Sequence, residues 1–178
     1  KVLAPSSPDA AGAAVETALD DPDPVVVSVD RSLLYSRAPL PGDPSASPWR
    51  GRIVEAGDDI TVAATGRLVH LARQAAAESD ASVEIVDIQR IAPLDSDTVL
   101  ESVRRTSRLL VLHDEAAGGG VSSALAAAVA DEGFWVLDAP VRRLTSPATP
   151  IPAAATLEDA YMLDVGEVRL AIKELVET

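Results

Sequence analysis

Hydrophobic and polar positions change rhythm several times along this chain. A short apolar start, Lys1–Ala4, is followed by Ser7-Pro8-Asp9, a helix-start signal with Ser7 as N-cap and Pro8 at the first helical position. Ala10–Leu19 then supplies helix formers. Asp20-Asp21-Pro22-Asp23-Pro24 ends that helix, because proline cannot continue it. The β-branched run Val25–Val29 reads as a buried strand. Residues 1–36 are therefore expected as strand, helix, strand.

Residues 37–52 change character. They hold four prolines (Pro39, Pro41, Pro44 and Pro48) and no periodicity, which reads as a semi-rigid linker. Trp49 is expected to anchor this linker to a domain surface. From Arg52 a regular alternation begins. Ile60–Ala64 reads as a strand, and Leu68, Leu71, Ala72 and Ala75 follow at helical spacing. Val83–Ile88 is the next strand, then a helix carrying Val99, Leu100 and Val103. Leu109–Leu112 is a continuous apolar run, the pattern of a buried parallel strand. Val121, Leu125, Ala128 and Val129 are helical again, Val141–Leu144 is a short strand, and Val165–Val176 carries the stripe Val168, Ala171, Ile172, Leu175. Such alternation predicts an α/β fold, a mostly parallel sheet with helices on both faces.

Composition narrows the classes. The 178 residues are 47% hydrophobic and 24% charged, which excludes a disordered tail. Cysteine is absent, so a disulfide scaffold, a thiolate zinc site and a cysteine nucleophile are excluded from these residues. No apolar run reaches the length of a membrane span, and no basic-then-apolar leader opens the chain. A cytoplasmic setting is expected. The start at Lys1, without Met, reads as a fragment or a processed product. Fifteen basic against 28 acidic side chains give a net charge of −13, which disfavours nucleic acid and anionic membrane as partners. It suits a basic protein partner, or serves solubility alone.

Candidate chemistry is sparse. His70 falls within a predicted helix and reads as a boundary residue. His113 is placed at the end of an apolar strand, at the carboxyl edge of the sheet, where open α/β sheets bind ligands. Asp114 and Glu115 follow it. A structural or interfacial role is favoured over a catalytic one, and no metal site is expected around it. Gly118-Gly119-Gly120 before a helix is neither a dinucleotide fingerprint nor a Walker loop. Ser122 and Ser123 lack a nucleophile elbow. From the residues alone no active site is complete.

The order of segments adds a resemblance. Lys1-Val-Leu-Ala-Pro-Ser6, Asp23-Pro-Val-Val-Val27 with Leu34-Tyr35, Glu55–Val62, Val86-Asp-Ile-Gln-Arg-Ile-Ala-Pro-Leu-Asp95, Ser107-Arg-Leu-Leu-Val-Leu-His113, Gly118–Gly120, Leu137-Asp-Ala-Pro-Val-Arg-Arg143, Thr149-Pro-Ile-Pro152 and Leu157-Glu-Asp-Ala-Tyr161 run across the whole chain. In this order they resemble the carboxyl-terminal half of the beta subunit of a thiamine-diphosphate-dependent 2-oxoacid dehydrogenase. This is the decarboxylase family of pyruvate, branched-chain and acetoin dehydrogenases.

The resemblance implies a division into the end of a pyrimidine-binding domain (1–40), a Pro-rich linker (41–52) and a transketolase carboxyl-terminal-like domain (53–178). It implies that the cofactor-activating Glu and the catalytic His lie outside these residues, so no catalytic or cofactor-binding residue is carried over. Thiamine diphosphate and magnesium belong to the complete enzyme and are not expected on this fragment. A potassium site is implied at Ala18 (through its carbonyl), Asp21 and Asp23. Implied partners are an alpha subunit, a second beta subunit and the basic subunit-binding domain of the acyltransferase core. The last would meet Asp138, Glu177 and Thr178. The alternatives are the carboxyl-terminal domain of a transketolase or deoxyxylulose phosphate synthase, or a non-catalytic α/β interaction module.

Overall fold

The computed structural model describes residues 1–37 and 47–178. In chain order the elements are β1 (Val2–Leu3), α1 (Pro8–Asp20), β2 (Val26–Val27), β3 (Arg52–Glu55), β4 (Ile60–Ala64), α2 (Arg67–Ala77), β5 (Val83–Asp87), β6 (Arg90–Ala92), α3 (Asp97–Thr106), β7 (Leu109–Ala116), α4 (Gly120–Glu132), β8 (Arg142–Ser146), α5 (Ala155–Tyr161) and α6 (Val165–Val176).

The main sheet has the order β3-β5-β4-β7-β8. Its last four strands are mutually parallel, and β3 pairs antiparallel with β5 at one edge. The two-residue period of a strand divides the core. Ile60, Val62, Ile85, Leu110 and Leu112 point to one face and pack against α2 and α6, through Leu68, Ala72, Ile172 and Leu175. Ala63, Val86, Leu109 and Val111 point to the other, under Val99, Val103, Leu125 and Val129 of α3 and α4. Because both faces are covered, β4 and β7 carry almost unbroken apolar runs.

The sheet reverses its winding at β4. The connection through α2 places β5 on one side of β4, and that through α3 places β7 on the other. The carboxyl ends of β4 and β7 therefore flank a crevice, the place where open sheets hold ligands.

A second sheet, β2-β1-β6, is built from both parts of the chain. Here β1 is parallel to β2 and antiparallel to β6, which lies beyond residue 53.

Several sequence expectations need correction. Val25–Val29 is not a buried strand: only Val26–Val27 pair, and Val26 is 59% exposed, because β2 is an edge with β1 on one side only. Ser7 stands at the N-cap of α1 with Pro8 behind it, yet its hydroxyl donates to Asp9 rather than capping a backbone amide through its side chain. β7 does not stop at Leu112. It continues to Ala116, so His113 lies inside the strand, paired with Thr145 of β8. Trp49 meets Lys1, whose ammonium lies 5.4 Å from the ring centroid. Residues 38–46, the end of the 1–40 part and the first half of the 41–52 linker, lie outside the described residues.

Candidate functional site

Four polar clusters carry the chemistry. The first lies at the crevice between β4 and β7. Gly66, two residues past β4, has φ +52°, in the left-handed region that favours glycine, and this turn starts α2. Arg67 follows it and donates to Asp114 at 2.6 Å, with Asp30 at 3.9 Å on its other side. These residues and His113 line a cavity of about 320 Å3 between β1, the residues after β2 and the main sheet. His113 Nδ1 is 3.4 Å from Glu115.

Glu115 accounts for the glycine run. Its carboxylate accepts from the Val121 and Ser122 amides at 2.8 Å and from the Ser122 hydroxyl at 2.6 Å. A carboxylate at a helix start satisfies otherwise unpaired amides and the helix dipole. Gly120, at φ +69°, allows it, because a β-carbon there would overlap the Glu115 carboxylate. The amide groups that a phosphate would use are already held by an internal anion.

The second cluster is at the end of α1. Lys1 Nζ donates to both carboxylate oxygens of Asp21, at 2.7 and 2.8 Å, and lies 3.1 Å from Asp23. These bonds, to Asp21 first, raise the Lys1 ammonium above its ordinary value and hold the Asp21 carboxyl below its own. Asp21 and Asp23 thus share the Lys1 side-chain ammonium. A potassium ion at Ala18, Asp21 and Asp23 would compete with it.

The third cluster joins the positions expected to meet a partner. Asp138 lies in the loop after α4, fixed by its amide, which donates to the carbonyl of Ser107. Its side chain is 62% exposed. Arg108 bridges from Asp138, at 3.9 Å, to the carbonyl of Leu175 near the end of α6, at 3.0 Å. Glu177 and Thr178 follow directly, bonded back to Lys173 and Glu174. Asp138, Glu177 and Thr178 therefore belong to one end of the domain, with Arg108 between them. Beside Asp138, Phe134 and Trp135 pack edge to face, and Trp135 is 93% exposed.

The fourth cluster was not signalled by the sequence. Asp87, at the end of β5, is buried and accepts from the Ser6 hydroxyl at 2.6 Å. The carbonyl of Ser6 accepts from His70 Nε2 at 2.7 Å. Arg52 pairs with Asp9 at 2.9 Å and donates to Ser7 at 3.3 Å. Burial pushes the Asp87 carboxyl up to about 6, although the Ser6 hydroxyl and Arg52 pull the other way. A polar residue in a strand gives no sequence sign of its depth, so only the fold exposes this group.

Known proteins place the chain. Residues 50–168 match the family described as transketolase, C-terminal domain. The chain belongs to that family. Among relatives, it is 34% identical over 166 residues to the acetoin:2,6-dichlorophenolindophenol oxidoreductase subunit beta of Bacillus subtilis (strain 168), covering 91% of this chain and 48% of the relative. It is 33% identical over 183 residues to the 2-oxoisovalerate dehydrogenase subunit beta of the same organism, covering 99% and 56%. It is 35% identical over 182 residues to the mitochondrial pyruvate dehydrogenase E1 component subunit beta-1 of Arabidopsis thaliana, covering 97% and 50%. The chain thus spans about half the length of the curated relatives it matches. A solved structure titled as a split gene transketolase, inactive beta4 tetramer, shares the fold, with a TM-score of 0.77 at 24% identity over 99% of this chain and 57% of that one.

Proposed function

We propose that these residues form the carboxyl-terminal part of the beta subunit of a 2-oxoacid dehydrogenase, the component that decarboxylates a 2-oxoacid and passes the acyl group to a lipoyl carrier. The observation that carries this reading is the alignment of nearly the whole chain with the beta subunits of two such dehydrogenases and of an acetoin oxidoreductase. On this reading the complete enzyme works with thiamine diphosphate and magnesium, and this part touches neither. It serves assembly with an alpha subunit and a second beta subunit, in the cytoplasm. No helix among the described residues is long and apolar enough to cross a membrane.

Docking of the acyltransferase core is assigned to the end where Asp138, Arg108 and the end of α6 meet. Support comes from the shared position of Asp138, Glu177 and Thr178, and from the charge of −13, which attracts a basic module. Calorimetric titration with a basic subunit-binding domain tests it. Saturable binding that weakens steeply with salt is expected, and no heat at low salt overturns the docking role. Titration with thiamine diphosphate and magnesium is expected to show no binding to this chain. Micromolar binding would remove the assembly-only reading.

A further inference from the structure

Residues 6 to 9 are gripped by three different elements of the main domain. Ser6 meets Asp87 of β5 through its hydroxyl and His70 of α2 through its carbonyl. Ser7 and Asp9 meet Arg52 of β3. Two buried polar atoms here have no hydrogen-bond partner: Asp87 Oδ1 and Arg52 Nε. They belong to residues that stand directly opposite each other in the antiparallel pair of β3 and β5. Side chains opposite each other in such a pair share a face and lie within reach.

This arrangement has two ways to be satisfied. In the one observed, Arg52 holds Asp9 and Ser7, and Asp87 holds Ser6. In the other, Arg52 turns to Asp87 and releases Asp9 and Ser7. We propose that this cluster is a proton-operated clasp: a neutral Asp87 keeps Arg52 on the start of α1, and an ionised Asp87 draws Arg52 away and loosens residues 1–35 from the domain.

The charge balance favours this direction. The charged or titratable groups facing Asp87 are Arg52 from β3, His70 from α2 and Asp9 from α1. Arg73, one turn along α2 from His70, is occupied by Glu55 at 3.7 Å. Among the described residues, a proton on Asp87 removes the one buried charge that competes with Asp9 for Arg52. Burial raises this carboxyl to about 6, which places the transition in a range that solution pH can reach. An ionised carboxylate left with one hydroxyl donor is costly when buried, so it recruits the cation next to it.

The chain carries its own reporter. Trp49 lies against Lys1, in the segment that would loosen. Trp135 is the other tryptophan of two, and it is exposed. The Trp135→Phe variant therefore leaves Trp49 as the single fluorophore of the full chain. Its emission is expected to shift to longer wavelength as pH rises, with a midpoint near 6. Adding Asp87→Asn should abolish that titration, while His70→Gln should keep it. Ser6→Ala removes a bond that only the closed clasp makes, so opening should start at lower pH and the midpoint should move downward; this variant decides the matter if Asp87→Asn does not fold. A flat profile in the parent, an unchanged titration in Asp87→Asn, its loss in His70→Gln, or an unmoved midpoint in Ser6→Ala would each overturn the clasp.

Discussion

Arg105 reaches from the end of α3 to a carboxylate, Glu84, that is buried near the start of β5. Only 4% of the Glu84 side chain is exposed, against 48% of Arg105. Glu84 also accepts from the Ser102 hydroxyl, which bonds on to Thr61, and Thr61 to Thr106. A polar network under α3 is thereby neutralised from the rim. Arg105→Ala leaves the buried carboxylate with a hydroxyl alone and is expected to cost about 3 kcal/mol. Glu84→Gln keeps an acceptor for both donors and should cost about 1 kcal/mol. Urea denaturation of the two variants checks the order, which a merely superficial ion pair would not produce.

At the start of α4, the Glu115 carboxylate replaces a cap. Glu115→Ala should destabilise by about 1–2 kcal/mol, through lost amide partners and the helix dipole. Gly120→Ala should cost at least as much, since the new β-carbon would displace that carboxylate and strain a positive φ. Thermal unfolding of both, with Gly118→Ala as the control that meets open space, is the measurement.

The Asp87 carboxyl gives a stability profile of unusual sign. Its folded value is raised, from 3.8 to about 6, so the unfolded chain loses that proton first. Its contribution to stability therefore falls as pH rises from about 4 to about 6, by about 3 kcal/mol at most. Asp9 works the other way. Burial pushes its carboxyl up, yet the Ser7 hydroxyl and Arg52 outweigh that and hold it below the ordinary value. Its share of stability is lost only as pH drops below the carboxylate range. Denaturant midpoints of the parent and Asp87→Asn should converge at pH 4 and diverge by pH 7, the variant being the more stable.

At the proposed acyltransferase contact, Asp138 is more exposed than a desolvated pair requires. Among the described residues its side chain has one partner, Arg108, at 3.9 Å. Asp138→Asn should therefore slow association and flatten its salt dependence, costing about 1 kcal/mol or less. Its melting midpoint should stay within a degree or two of the parent, because the loop is held through the backbone amide and not the carboxylate. Stopped-flow binding and a thermal melt together check this.

The cation site at α1 has a simple test. With Lys1 between Asp21 and Asp23, replacing sodium by potassium should leave the melting midpoint unchanged. Lys1→Gln removes the resident ammonium, and potassium should then raise the midpoint relative to sodium.

The sheet was legible in the sequence where both its faces are covered. Ile60–Ala64 and Leu109–Leu112 read as buried strands because nearly every position is apolar, and α6 declared itself through Val168, Ala171, Ile172 and Leu175. Half-buried elements did not. β3 and β6 are short and partly covered, and α5 buries no residue at all, so neither period emerges. The polar clusters were legible only by type. Asp138 and the end of α6 are brought together by Arg108, 30 positions before Asp138, and nothing in the spacing of residues foretells that bridge. Asp87 and Ser6 lie 81 positions apart and meet only because β6 carries the chain back to β1.

That return has a mechanical consequence. Because β6 is hydrogen-bonded to β1, the small sheet is a seam stitched from both sides of the proline-rich stretch. Cutting the chain within residues 38–46 would sever its covalent continuity without parting the halves. A protease nick there should yield two peptides that migrate as one particle until denaturant, or the loosening of the clasp, lets the seam unzip.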